Sequence, residues 1–171
     1  RKGFGALVDQ AERIAFLARE DKRIDQRSGV SQRMPITVTE SVISNAERRA
    51  LLLEEDRAVP RITDIYAALP AITGKMELEY EGELAGSETI ARELVSRAAR
   101  DTFQARAGGA DVEDIVDSFE NGAPIQVGEE ASASACVMGF ETVPGLLEAV
   151  ESVGLAAPDA PAGVRAAACE L

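Results

Sequence analysis

The scarcity of large rings is what most constrains this chain. Aromatic residues make up 4% of its 171 positions and tryptophan is absent. Any core must therefore be assembled from Ala, Leu, Ile and Val, which favours closely packed helices. Apolar residues still account for 46% of the chain, enough for a core and too many for wholesale disorder. The length suits one domain, or one domain with an appendage.

Apolar spacing divides the chain into helices. Leu7, Ala11, Ile14 and Ala18 recur at i, i+4, i+7 and i+11, which predicts an amphipathic helix over 5–20. The polar run 21–29, ending in Ser28-Gly29, reads as a loop. Thr37-Val38-Thr39-Glu40 fits a capping box and Pro35 blocks entry from the N-terminal side. The second helix is thus expected to start at Thr37 and to bury Ile43, Ala46, Ala50 and Leu53. Arg48 and Arg49 then face away from the core, and Glu54-Glu55-Asp56 marks the end. A short helix is expected from Thr63 or Asp64 to Leu69, stopped by Pro70, with Ile62, Ile65 and Leu69 inward. Met76–Tyr80 alternates apolar and acidic residues, as a short strand or a helix end would, and Glu81-Gly82 turns the chain. The longest helix is expected over 87–106, capped by Ser87, with Ile90, Leu94, Val95, Ala98 and Phe103 facing the core.

Composition changes at Ala107-Gly108-Gly109-Ala110. Residues 1–107 carry 17 basic and 18 acidic side chains, whereas residues 108–171 carry one basic residue, Arg165, and 12 acidic ones. Nearly all of the net charge of −12 therefore sits in the second segment. Such a surface repels phosphate backbones, so no nucleic-acid partner is expected there. It suits either a basic partner protein or plain solvation. Val112, Ile115, Val116 and Phe119 predict one amphipathic helix, Asn121-Gly122 a turn and Pro124–Val127 a short strand. Thr142–Val153 reads as a helix with Pro144 in its first turn. Residues 156–161 read as an Ala/Pro linker, and 162–171 as a helix cut off by the terminus. The fold expected is mainly α: a small helical bundle over 1–107, then an acidic helical appendage over 111–171 with room for one short strand. Arg1 in place of Met, and the helix running into Leu171, read as cuts from a longer protein.

The absence of histidine removes Ser-His-Asp and Cys-His catalysis and every zinc site that needs imidazole. Cys136 and Cys169 stand apart, outside any C-x-x-C pair, and read as reduced thiols of a cytoplasmic protein; no metal is expected. No run approaches eighteen uninterrupted apolar residues and no secretory signal is visible, so no membrane partner is expected either. A phosphate-cradling G-x-x-x-x-G-K-[ST] loop is missing, and Gly74-Lys75-Met76 supplies only its Gly-Lys pair. One constellation stands out: Asp25-Gln26-Arg27-Ser28-Gly29-Val30-Ser31-Gln32-Arg33, directly before a helix. Arg33 there projects from a helix entrance, where backbone amides also favour anions. Its guanidinium can fork onto two phosphate oxygens. The alternative is an ordinary surface arginine.

Gly29-Val30-Ser31-Gln32-Arg33 resembles the G-[AV]-S-x-R sensor-2 motif of AAA+ ATPases of the MoxR and magnesium-chelatase I-subunit group. A helix rich in Ala, Arg and Leu follows, then an acidic break, then Val59–Ile65, which is similar to the Val-x-x-x-Asp-[IV] segment opening the next lid helix. Pro70–Leu78 extends this ordered series, so that the likeness covers about residues 10–106; beyond it, Val143-Pro144-Gly145-Leu146-Leu147 is similar to the tail of the same branch. The resemblance implies that residues 1–107 are the C-terminal helical lid of a ring-forming ATPase whose P-loop, magnesium-binding acid and arginine finger lie outside this chain. ATP and Mg2+ are then cofactors of the parent protein, and the fragment alone neither holds nor hydrolyses ATP. Arg33 is implied to reach the γ-phosphate and to couple hydrolysis to lid rotation around a hexameric ring. Arg27 is a second candidate, for a contact at the subunit interface, against the alternative of a solvated loop arginine. The implied partners are the chain's own AAA+ core, neighbouring subunits, and a protein with a von Willebrand A-type domain, acting on a metal-insertion or cofactor-maturation target. Two other readings of the residues stay open. One is a stand-alone acidic interaction module that binds a basic protein. The other is a helix-turn-helix DNA binder with 37–53 as recognition helix, favoured by Arg48, Arg49 and Arg57 and opposed by the charge balance.

Overall fold

Three long helices carry most of the packing: α1 (Lys2–Glu20), α2 (Met34–Leu52) and α6 (Ser87–Ala107). The computed structural model describes residues 2–27, 29–122, 125, 127, 128 and 130–171, with side chains from Val8 onward. The chain is mainly α, with only two isolated antiparallel bridges besides helices among the described residues. α1 lies against both α2 and α6. Ala11, Ala15 and Ala18 on α1 and Ala91 and Ala98 on α6 belong to one core with Ile14, Leu17, Val38, Val42, Ile90, Leu94 and Val95. Small side chains at such a crossing let the helix axes approach closely while the branched ones fill the gaps. Of the predicted α1 stripe, Ala11, Ile14 and Ala18 are buried; Leu7 lies outside the described side chains.

α2 departs from the expected start. It begins at Met34, with Arg33 as the preceding cap residue and Pro35 inside the first turn. Thr37 is already helical, its amide donating to the Arg33 carbonyl, so the Thr37–Glu40 capping box does not form. Proline lacks only an amide that the first turn would leave unbonded, and its φ suits a helix. The buried stripe is Met34, Val38, Val42, Ala46 and Ala50, while Ile43 and Leu53 are half-buried. Arg49, expected outside, is one of the largest fully buried side chains.

Three short helices complete this half: α3 (Ile62–Ala67), α4 (Leu69–Thr73) and α5 (Tyr80–Ala85). The Asp64 carboxylate accepts the Arg61 amide at 2.8 Å, and α3 starts at Ile62, just before the expected Thr63 or Asp64. Pro70 ends nothing: it sits in the first turn of α4. The expected Glu81-Gly82 turn is instead the middle of α5, because Gly82 packs on the chain at Arg23. A Cβ there would lie 2.2 Å from the Arg23 carbonyl oxygen. Gly86, at φ +88, rather than Ser87, precedes α6, and Phe103 is only half-buried.

A second core forms beyond residue 130. Cys136, Val137 and Phe140 of α8 (Ala133–Phe140) meet Ala166 of α10 (Ala162–Cys169), with Ile125 and Leu146 at the edge. Periodicity did not reveal α8; Ser132 starts it, its hydroxyl accepting the Ala135 amide. α9 spans only Leu146–Ser152, because Gly145, at φ +78, stands between Pro144 and the helix. α10 spans Ala162–Cys169, with Glu170 as the residue after it. α7 (Glu113–Glu120) forms as expected but buries none of its residues. Of the expected strand, Pro124 and Gln126 lie outside the described residues, and Ile125 and Val127 belong to no strand.

Buried charges join the two cores. Arg49 of α2 grips Asp64 through Nε and Nη2 at 3.3 and 3.0 Å, donates to the Val59 carbonyl at 2.8 Å, and pairs with Glu55 at 3.0 Å. The other Glu55 oxygen accepts the Ala133 amide at 2.6 Å, at the start of α8. Next to Asp64, Arg61 donates to the Gly128 and Ala131 carbonyls and to Cys136 Sγ, and its Nε lies 3.2 Å from the Glu170 carboxylate. That last pair is poorly aligned, and neither atom has a true hydrogen bond. Burial raises the Glu170 pKa, against the lowering pull of Arg61 and of the Ile62 and Thr63 amides. Removing one member of such a set leaves a buried charge uncompensated. Arg61→Met should destabilise the fold by about 3–5 kcal/mol in urea denaturation. The Arg61→Met/Glu170→Met double variant should cost less than the two single changes together. Additive costs would show that the two side chains do not act as a pair.

Candidate functional site

The constellation singled out by sequence occupies the loop between α1 and α2, and its shape depends on a distant segment. Residues 75–79 run antiparallel to residues 23–25 and 29–31 and tie them with four backbone hydrogen bonds. Asp25 donates to the Glu77 carbonyl at 3.0 Å and Glu77 to Gly29 at 2.7 Å; Ser31 donates to Lys75 and Glu79 to Arg23. The alternation at Met76–Tyr80 thus produces the bridges Val30–Met76 and Ile24–Leu78, with Ile24 and Met76 turned into the core. Two bridges, not a ladder, result because Ile24 and Val30 are six residues apart whereas Met76 and Leu78 are two apart.

Polar side chains finish the loop. Gln26 donates to the Asp21 and Ile24 carbonyls at 2.9 Å. Arg23 pairs with Asp21 and with Glu93 of α6, both at 2.7 Å. The Arg23 side chain, hydrogen-bonded to Asp21, holds that carboxyl below its usual range. Gly29 is buried, with its amide on the Asp25 carbonyl; a Cβ there would come within 2.3 Å of that oxygen. The glycine of the G-V-S-Q-R segment is therefore demanded by close backbone approach.

Arg33 and Arg27 are both exposed. The Arg33 amide donates to Ser31 Oγ at 3.3 Å and the Arg27 amide to Asp25 Oδ1 at 2.7 Å. Each arginine therefore has a fixed backbone and a solvent-facing side chain. Ser28, between them, lies outside the described residues. The helix entrance itself offers fewer amides to an anion than expected, because Met34 already donates to the Ser31 carbonyl and Pro35 has no N–H. Any affinity for phosphate at this place rests on the guanidinium more than on the helix terminus.

Other residues weighed from the sequence are placed less favourably for chemistry. Gly74-Lys75 is the turn after α4, with the Lys75 carbonyl accepting the Ser31 amide. Of the three arginines that favoured a DNA-reading helix, Arg49 is buried in the charge network. Burial raises the Cys136 thiol and pushes Cys169 up to about 11, so neither is a thiolate at neutral pH. Among the described residues no group of three or more Asp, Glu or Cys side chains is arranged to hold a metal ion. No described helix is long and apolar enough to cross a membrane. Sequence reasoning missed Arg61, Glu55 and Glu170; Arg61 and Glu170 are separated by more than a hundred residues, and periodicity carries no signal across such a span. Comparison with protein-family models, with curated proteins and with solved structures gives no match.

Two outcomes follow from this geometry. Gly29→Ala should destabilise the fold by about 1–3 kcal/mol, because the added methyl has no room without backbone movement; unchanged urea stability would contradict the close approach. The Asp21 carboxyl has a folded pKa below its unfolded value of 3.8. Its contribution is therefore complete above that pH and is lost as pH falls through the folded pKa. Asp21→Asn should flatten the acid limb of the stability profile below about pH 4, measured by thermal melts across pH; an unchanged limb would remove Asp21 from the account.

Proposed function

We propose that this chain is the nucleotide-sensing helical part of a magnesium-chelatase-like AAA+ ATPase. Arg33 is the phosphate-contacting residue, and ATP with Mg2+ is held by a core domain elsewhere in the parent polypeptide. The observation that carries this reading is the G-V-S-Q-R segment itself, placed so that an exposed Arg33 immediately precedes a 19-residue helix on a loop pinned by backbone hydrogen bonds. On this chain the guanidinium is open to solvent, as a residue that completes another domain's phosphate site has to be.

The helix after Arg33 suits a coupling role. α2 is about 28 Å long at 1.5 Å per residue. It carries Arg33 at its entrance and the buried Arg49 near its far end, where Asp64, Glu55 and, through Glu55, α8 are attached. A pull on Arg33 by a γ-phosphate, or its release on hydrolysis, would act on one rigid rod. In this reading the parent protein is a cytoplasmic ATPase working as a ring, with a von Willebrand A-type protein as partner in remodelling. Arg27, two residues before Gly29, is assigned to the subunit interface.

Hydrolysis of ATP by the parent polypeptide tests the assignment. Loss of one charge-assisted contact to phosphate costs roughly 1.5–3 kcal/mol. Arg33→Ala should therefore lower the rate about tenfold or more with unchanged circular dichroism, and Arg33→Lys should recover part of it. Equal rates in the variant, or no nucleotide-dependent activity in the wild type, would leave Arg33 an ordinary surface residue.

A further inference from the structure

α7 has an apolar face that is largely open among the described residues. Val112, Ile115, Val116 and Phe119 fall on one side of this helix, and Glu113, Asp114, Asp117 and Glu120 on the other. Val116 and Phe119 are 48% and 47% exposed, and no residue of α7 is buried. Eight residues are too few to hold a helix by propensity alone, yet on this face only Val112 and Ile115 are half-buried, leaving Val116 and Phe119 open. Beside it lies an open hollow of about 240 Å³ between α7 and α9, lined by Asp111, Asp114, Ile115, Glu148 and Ala149 among others. Ile115 belongs to both, so stripe and hollow form one continuous surface with an apolar centre and carboxylates along its margins.

The charge of the surroundings selects the occupant. Arg165 is the one basic side chain in residues 108–171, and it lies on α10, 3.8 Å from the Glu141 carboxylate. Nothing in this segment therefore neutralises the margin of the α7 surface. Phosphate backbones and anionic lipid are repelled by such a field. The α7 face of a second copy would bring carboxylates against carboxylates. A helix with an apolar stripe flanked by Lys or Arg meets both requirements, laying its stripe on Val116, Phe119 and Ile115 and its charges on the acidic rim.

We propose that the α7 face and the adjoining hollow are a docking surface for a basic amphipathic helix of a partner polypeptide. This inference is independent of the nucleotide-sensing reading, since it involves neither Arg33 nor ATP.

The test is binding of an 18-residue synthetic Leu/Lys helix carrying one tryptophan, followed by tryptophan fluorescence, since the chain itself has none. The same residues in scrambled order and a Leu/Glu counterpart serve as controls. The expected result is saturable binding of the amphipathic cationic peptide at micromolar concentration, with the scrambled peptide at least tenfold weaker and the Leu/Glu peptide unbound. Val116→Ser/Phe119→Ser should weaken binding at least tenfold, and Asp117→Lys/Glu120→Lys should weaken it and flatten its salt dependence. Both variants alter exposed positions, and circular dichroism checks that they fold. Equal binding of the scrambled peptide, or equal binding by Val116→Ser/Phe119→Ser, would reduce the surface to diffuse charge and overturn the proposal. No binding at millimolar peptide would overturn it as well. So would self-association of the chain, in sedimentation, that the Val116→Ser/Phe119→Ser change abolishes, because a second copy would then occupy the face.

Discussion

Arg49 and Arg61 place two full positive charges where almost no water reaches, and the rest of the molecule is arranged around that fact. An unpaired guanidinium in such a place would cost several kcal/mol. Asp64 answers Arg49 with both carboxylate oxygens while also accepting the Arg61 amide. One carboxylate therefore holds the end of α2, the start of α3 and the backbone of the second arginine. Glu55 and Glu170 arrive from other parts of the chain to share the remaining charge. The network sits between two apolar cores that do not merge, and its hydrogen bonds to Ala131, Gly128 and Ala133 set where the second one docks.

Such a joint differs in kind from the packing on either side of it. The α1–α2–α6 core is made of side chains that tolerate small adjustments, since Ala, Val and Leu contacts have little directionality. The arginine network is directional, and most of its donors have one fitting acceptor. The Arg61–Glu170 pair is the exception, close in distance but poorly aligned, and burial keeps the Glu170 carboxyl easier to protonate than usual. The strongest anchoring therefore lies at Arg49 and Asp64, with a looser contact toward α10.

Placement of the candidate sites follows the same division. The Arg33 loop is fixed by backbone bonds to residues 75–79 and by the Asp21–Arg23–Glu93 contacts, all within the first core. Its side chain is free to meet something outside the chain. The α7 surface lies in the second segment, where the acidity is concentrated and the packing is lightest. Rigid support for an exposed arginine at one place, and an open amphipathic helix at another, are the two features on which the proposed contacts rest.

The sequence by itself determined the helical character of the chain, the inward faces of α1 and α6, the change of charge at Ala107–Ala110 and the glycine of the G-V-S-Q-R segment. These are local properties: periodicity and composition act over a few residues, and Gly29 is confined by Asp25, four positions away. Helix starts were legible only where the cap was local. At α2 the sequence pointed to Thr37, whereas the helix starts at Met34, where Met34 and Val38 are buried and Pro35 lies in the first turn. Only the tertiary structure decided that Arg49 and Arg61 lie inside. A charged residue reads as a surface residue until its partners are known, and here Glu55, Asp64 and Glu170 come from three separate stretches of chain. The same holds for Met76–Leu78, whose alternation became two bridges because the α1–α2 loop was there to receive them. Long-range pairing of polar groups has no period, so chain folding alone brings those partners together.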